Sequence, residues 1–257
     1  MEFPWSEPSI TPEQFLELGE AILPASLLTE VLDLVPAGTL ARFLPNYILS
    51  PVLRLERSKV TGIRVCVSNV GGKEEWRSAV RRHWADATVE EFLDKAPPST
   101  RRMIELGDPK PTFYLDDLHE VSSAERSWKG ELLCMRLNTN TGELQSMTRH
   151  DVLSEIQWSP LLDACGIARE LLPSQGLWGM VRDPGSPTAQ SLLFITETQT
   201  RTSIRESREF LRHSAAGAAV SKLMKQCDSL GLRVYLDSLE LHENGATDVT
   251  LGFLGPA

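Results

Sequence analysis

The sequence predicts an α+β protein: an antiparallel sheet of successive hairpins, closed into a barrel, with helices on its outer face in repeating αββ units. Three observations predict it. Apolar residues recur at helical spacing in some stretches and at alternate positions in others, the signatures of amphipathic helices and half-buried strands. The strand-like stretches come in pairs around short turn-forming segments, as hairpins do. Helical and hairpin stretches then alternate along the chain, and a sheet assembled this way is favoured to close because closure removes its exposed edges.

The elements follow in order. Thr11-Pro12-Glu13-Gln14 supplies an N-cap, a proline at the first helical position and a glutamine at the third, which starts a helix. A helical region over 11–34 results, interrupted near Pro24. From Pro51, Leu53 and Leu55 alternate with Arg54 and Glu56; beyond a turn at Ser58-Lys59, Ile63, Val65 and Val67 alternate with Arg64, Cys66 and Ser68. Gly71-Gly72 closes that hairpin, and Trp76, Val80 and Trp84 return to helical spacing. Thr88 to Glu91 is a capping box for another short helix, ended by Pro97-Pro98, and 100–106 reads as one more short helix. A strand over 111–118 comes next, then a hairpin of 131–138 and 143–148 around Thr139-Asn140-Thr141-Gly142. Helices over 151–157 and 160–172 precede strands at 177–182 and 190–198, joined by the breaker-rich Asp183-Pro184-Gly185-Ser186-Pro187.

Ser203 to Glu206 is a capping box that opens a long helix to 229, stopped at Gly231. A final hairpin, 232–242 and 247–254, turns on Glu243-Asn244-Gly245. About four units are countable, each longer than a solenoid repeat and without sequence self-similarity. Residues 1–50 are expected to form an N-terminal helical segment packed on the sheet and 51–257 the helix-hairpin barrel, together one domain.

Composition bounds the partners. A chain of 257 residues with 41% hydrophobic and 24% charged side chains can bury a substantial core. A formal charge of −9 argues against nucleic acid, because binding the phosphate backbone needs a basic surface. Cys66, Cys134, Cys165 and Cys227 are scattered without a C-x-x-C pair, which fits buried thiols in a reducing compartment better than disulfides or a zinc site. The first eight residues, Met-Glu-Phe-Pro-Trp-Ser-Glu-Pro, lack the basic and apolar regions of a signal peptide. No apolar run approaches the ~20 residues of a membrane span. A cytoplasmic protein with a small-molecule substrate and no membrane partner is expected, its oligomeric state open.

Alternation also sorts the strand residues by face. Arg54, Glu56, Arg64, Cys66 and Ser68 fall opposite the helix-facing set, as do Cys134, Arg136, Asn138, Trp178, Arg182, Arg233, Tyr235 and Asp237; Thr112, Tyr114 and Asp116 share one face of their strand. Two readings of this polar face are open. In an open sheet it is solvated, the ordinary pattern of a half-buried antiparallel sheet. In a closed one it lines a lumen, and its arginines make that lumen an anion site.

The alternation of helices with antiparallel hairpins, and basic residues on successive strands, resembles the aromatic prenyltransferases of the αββα-barrel type. Arg233-Val234-Tyr235 is similar to that family's basic-x-Tyr strand pattern. The resemblance implies a transferase that moves a prenyl group from a prenyl diphosphate to an aromatic or other small-molecule acceptor. Arg54, Arg64, Arg136, Arg182 and Arg233 would neutralise the diphosphate. Tyr114, Trp178 and Tyr235 would shield the allylic cation, with Asn138 and Asp237 beside the acceptor. Glu56, one strand step from Arg54, would be the catalytic base.

With no aspartate-rich metal motif, no cofactor is required and magnesium (Mg) is optional. The chain departs from the family in being shorter, in its four countable units against five, and in having only 3 tyrosines. A non-catalytic ligand-binding or protein-interaction module, and a cyclase or isomerase on the same barrel, are the alternatives.

Other chemistries lack their signatures. His83, His119, His150, His213 and His242 show no H-E-x-x-H spacing, Asp116-Asp117 is a lone strand-end pair, and no G-x-S-x-G, P-loop or G-x-G-x-x-G occurs.

Overall fold

The computed structural model describes residues 16–17, 19–20, 23–34, 49–56, 59–68, 89, 91, 101–107, 112–116, 131–138, 143–149, 155–174, 176–182, 191–196, 201–214, 217–229 and 231–254. A helix, α1 (Ala25–Leu34), lies against the second and third strands. The strands are β1 (Leu49–Glu56), β2 (Lys59–Ser68), β3 (Arg101–Leu106), β4 (Thr112–Asp116), β5 (Glu131–Asn138), β6 (Glu143–Arg149), β7 (Gly176–Arg182), β8 (Ser191–Thr196), β9 (Arg233–His242) and β10 (Ala246–Leu254). Helix α2 (Glu155–Cys165) and a 3₁₀ turn (Arg169–Leu171) lie between β6 and β7; α3 (Arg201–His213) and α4 (Gly217–Ser229) lie between β8 and β9.

Every strand runs antiparallel to its chain neighbours, and β1 pairs with β10 as well as with β2, so the order returns to its start as a closed barrel. The pairs Glu56↔Lys59, Glu105↔Thr112, Asn138↔Glu143, Val181↔Ser191 and Leu241↔Thr247 put all five within-hairpin turns at one end of the barrel. The longer connections occupy the other. In the last hairpin, Gly245 at φ +80° takes the left-handed position, donating its N–H to the His242 carbonyl at 2.9 Å, while Asn244 Oδ1 accepts from the Ala246 N–H at 3.0 Å. That is the mechanism by which Asn-Gly turns a hairpin.

The core lies outside the barrel wall, against the helices. Leu53 and Leu55 of β1, Val249 and Leu251 of β10, Leu236, Leu239 and Leu241 of β9, and Leu192 and Phe194 of β8 are buried in one cluster with Leu162 of α2, Phe210 and Leu211 of α3, and Val220 and Leu223 of α4. Each such side chain contributes about 1.5–3 kcal/mol on burial. The buried residues of α3 (Ile204, Ser207, Leu211) and of α4 (Val220, Leu223, Cys227) follow the i, i+3, i+7 spacing of a helix with one apolar stripe.

The structure differs from the sequence expectations in four places. Residues 101–106 are a strand, not a helix: six residues hold less than two helical turns, so periodicity was ambiguous and pairing with β2 and β4 decides. Gly107 at φ +122° ends it, with Arg64 packed so close that a Cβ there would meet the Arg64 Cα at 3.2 Å. This strand completes a fifth hairpin. The long helix expected to run from Ser203 to 229 begins at Arg201 and is two 13-residue helices. One continuous helix over that span would be about 43 Å long, overrunning the ~33 Å of a ten-residue strand.

Residues 155–165 form one helix through Pro160, and the expected second helix is reduced to the 3₁₀ turn. Ser203 therefore lies inside α3, and Glu206 caps no helix: its carboxylate accepts from Ser174 N–H and Oγ at 2.7 and 2.8 Å. The expected helix around Trp76–Trp84, the capping box at Thr88 and the motif at Thr11–Gln14 lie outside the described residues.

Cys227, on the buried face of α4, is fully enclosed, and that burial, with Asp228 beside it, pushes its thiol up to about 12. Iodoacetamide at pH 8 is expected to leave Cys227 unmodified in the native protein and to alkylate it on urea unfolding; rapid native labelling, read by mass spectrometry, would contradict the seating of α4 on the wall.

Candidate functional site

Because side chains alternate across each strand, the residues between the core positions share the lumen face. Arg54 stands opposite Asp248, and Asp248 opposite Glu240; His242 follows two residues on, with Ser191 of β8 across from it. Arg64 pairs with Val52, and Glu105 with Cys66, on the same face. Arg64 Nη2 lies 2.9 Å from Asp248 Oδ2 and its Nε 2.9 Å from Glu105 Oε1. Arg54 Nη1 reaches the same Asp248 oxygen at 3.4 Å, and His242 Nε2 at 2.9 Å. Ser191 Oγ donates to Glu240 Oε1.

The side chain of Asp248 is only 7% exposed. Burial alone pushes its carboxyl up, but the His242 hydrogen bond and the Arg64 guanidinium together hold it below the usual aspartate range. Two guanidiniums and an imidazole converge on Oδ2, while Oδ1 is buried without a hydrogen-bond partner.

The residues predicted from sequence do not gather into one site. Arg54 and Arg64 meet at Asp248. Glu56, one step further along β1, is 56% exposed at the hairpin end, 3.8 Å from Arg54 Nε. Arg136, Asn138 and Tyr114 occupy lumen register positions, Tyr114 directly across from Arg136. Arg233 pairs with Leu254, six residues along β10 from Asp248, roughly 20 Å away at the rise of a strand. Asp237 falls at the irregularity where β9 slips against β10 between Ser238 and Leu236.

Two placements are corrected. Trp178 pairs with Phe194, a core residue, and Arg182 with Ser146, so both belong by register to the helix-side face. Gly176-Leu-Trp-Gly-Met-Val181 is apolar on both faces, so alternation carried no signal there, and the Ser191–His242 pairing sets the face instead.

Sequence reasoning missed Glu105, Ser191, Glu240, His242 and Asp248 as site residues. Glu105 was hidden by the helical reading of β3. The others had a usable signal: a turn at 243–245 pairs residue 240 with 248, which sets Glu240 and Asp248 across from each other with His242 beside them.

Tyr235 lies on the same face, its ring laid over Gly252 on the adjacent strand; a Cβ at 252 would collide with the ring carbons and hydroxyl. Glycine here allows the close backbone approach of an aromatic ring.

No protein-family model matches the chain. No curated protein matches its sequence. Among solved structures, a 6-dimethylallyl tryptophan synthase aligns with a TM-score of 0.53 over 96% of this chain and 98% of its own length, at 11% identity. The likeness is one of fold. It places the chain among proteins with an antiparallel sheet and outer helices arranged as in a prenyltransferase. No described helix is long and apolar enough to cross a membrane.

Three outcomes are expected. Arg64→Ala should destabilise the protein by roughly 3 kcal/mol, the low end for breaking a buried ion pair, measured by urea unfolding. Because the folded Asp248 titrates below its ordinary value of 3.8, its stabilisation is complete above that pH and lost as pH falls through the lower folded value. Unfolding midpoints should therefore drop below pH ~4, and less steeply in Asp248→Asn. Gly252→Ala should cost about 1–3 kcal/mol by overpacking, and much less in a Tyr235→Ala background; equal cost in both would refute the ring's placement.

Proposed function

We propose that this chain is a transferase that moves a prenyl group from a prenyl diphosphate to an aromatic or other small-molecule acceptor inside the barrel lumen. The observation that carries the proposal is Arg136 at a lumen register position with no acid directly across from it, read with the fold likeness. The β1, β9 and β10 side holds Asp248 and Glu240, with Arg54 and Arg64 engaged by acids. Five strands round the barrel, β5 carries Arg136 at a lumen register position with Tyr114 and Gln145 across from it, while Arg101 and Arg149 on the same face stand opposite Asp116 and Glu131.

A diphosphate is repelled by the acids of the first side and attracted to Arg136, which has no acid directly across from it. Arg136 neutralises the charge that builds on the leaving diphosphate as the allylic C–O bond breaks, so that the barrier falls. Tyr114, across from Arg136, presents a π face to the allylic cation, and Tyr235 extends the aromatic surface towards the far end. Asn138 and Asp237 contact the acceptor. Glu56, half in solvent, takes the acceptor's proton after the new bond forms and releases it to water. Arg233, at the end away from the hairpin turns, assists diphosphate entry. No bound cofactor is required, because guanidiniums supply the charge at the diphosphate; magnesium is optional.

Thermal shift tests the reading. Dimethylallyl or geranyl diphosphate at 100 times its Kd contributes ~2.7 kcal/mol and should raise Tm by roughly 5–10 °C, well above any shift with inorganic pyrophosphate. Arg136→Ala should remove the shift and Arg182→Ala should retain it. No shift with any prenyl diphosphate would sink the proposal.

A further inference from the structure

We infer that Glu240, His242 and Asp248 form a binding site for a divalent first-row transition ion, Zn²⁺ or Mn²⁺, on the acidic wall of the lumen. The three residues sit on two adjacent strands with one ligand atom of each within 4.8 Å of the others. The Asp248↔Glu240 cross-strand pair would be a liability in itself, since like charges directly opposite each other destabilise a sheet. His242 Nε2 lies 2.9 Å from Asp248 Oδ2, so the imidazole and the carboxylate meet at the same point of the wall.

A second observation points to a ligand independently of this cluster geometry. Asp248 Oδ1 is buried and has no hydrogen-bond partner, in a side chain more than nine-tenths enclosed. A buried carboxylate oxygen left unmatched costs about 1–3 kcal/mol or more, and a cation held there removes that cost. The two guanidiniums on Oδ2 do not compete for Oδ1; a carboxylate that binds a metal through one oxygen is commonly held by hydrogen bonds at the other.

An imidazole among carboxylates selects Zn²⁺ or Mn²⁺ over Mg²⁺ and Ca²⁺, which prefer all-oxygen sites. Three protein ligands leave coordination positions open to a water or to an oxygen of a lumen ligand. This site is distinct from the proposed diphosphate wall and does not depend on the transferase reading.

The test is titration calorimetry on chelator-treated full-length protein with Zn²⁺, Mn²⁺ and Mg²⁺ in turn, with circular dichroism to confirm the fold of each variant. Expected is one equivalent of Zn²⁺ or Mn²⁺ per chain, with Mg²⁺ at least tenfold weaker. His242→Gln and Glu240→Gln should each weaken the preferred ion at least tenfold, and His213→Gln, on the exposed end of α3, should not. Asp248 sits among buried arginines, so Asp248→Asn can fail to fold; the His242 and Glu240 variants carry the test without it. Absence of stoichiometric binding, affinity unchanged in both variants, or Mg²⁺ bound as tightly as Zn²⁺ would each overturn the site.

Discussion

The carboxylate of Asp248 is the constraint on which the rest of the barrel turns. It stands on the last strand and is gripped by arginines from the first two, with Arg54 separated from it by 194 residues of chain. The β1–β10 pairing is the ladder that joins the strands furthest apart in the chain. Hairpins form from contacts a few residues apart, whereas bringing β1 to β10 requires closing a loop of nearly the whole barrel, at an entropic cost that rises as (3/2)RT ln n. Ion pairs across that seam, buried where solvent screens them little, fix the register in which the two ends of the sheet meet. A one-residue slip would turn Arg54 and Asp248 out to the helices and Leu53 and Val249 into the lumen.

The same seam fixes what the lumen offers. Asp248 is held ionised by the His242 hydrogen bond and the Arg64 guanidinium, against a burial that favours its neutral form. Two of the arginines that the sequence suggested for an anion, Arg54 and Arg64, are therefore committed to acids, whereas Arg136 stands at a lumen register position across from Tyr114 and Gln145.

Much of the fold was legible because hairpins announce themselves. Nine of the ten strands match stretches read from alternation and turn chemistry, and the Asn244-Gly245 turn sits where its left-handed φ demands. The exceptions have local causes. β3 is too short to show a period, and its loss reduced five hairpins to four. The helix split at 214–217 depends on the length of the strands beneath it, which is tertiary information. The site was less legible than the fold. Alternation sorts faces only where one face is polar, so it placed Arg54, Arg64 and Arg136 correctly but failed on β7, whose two faces are equally apolar. It also ranks residues by type, and so drew attention to arginines and passed over the acids that neutralise them.

The separation of short turns from long connections has a consequence for the architecture itself. Leu49 and Leu254 leave the barrel at the same end, on neighbouring strands, and every hairpin is linked to the next at that end. The ring thus has no privileged beginning: joining β10 to β1 and opening any other long connection preserves all ten ladders, the outer core and the lumen. Chain order and wall order are separable properties here, and a lineage could rotate one past the other without rebuilding the chemistry inside.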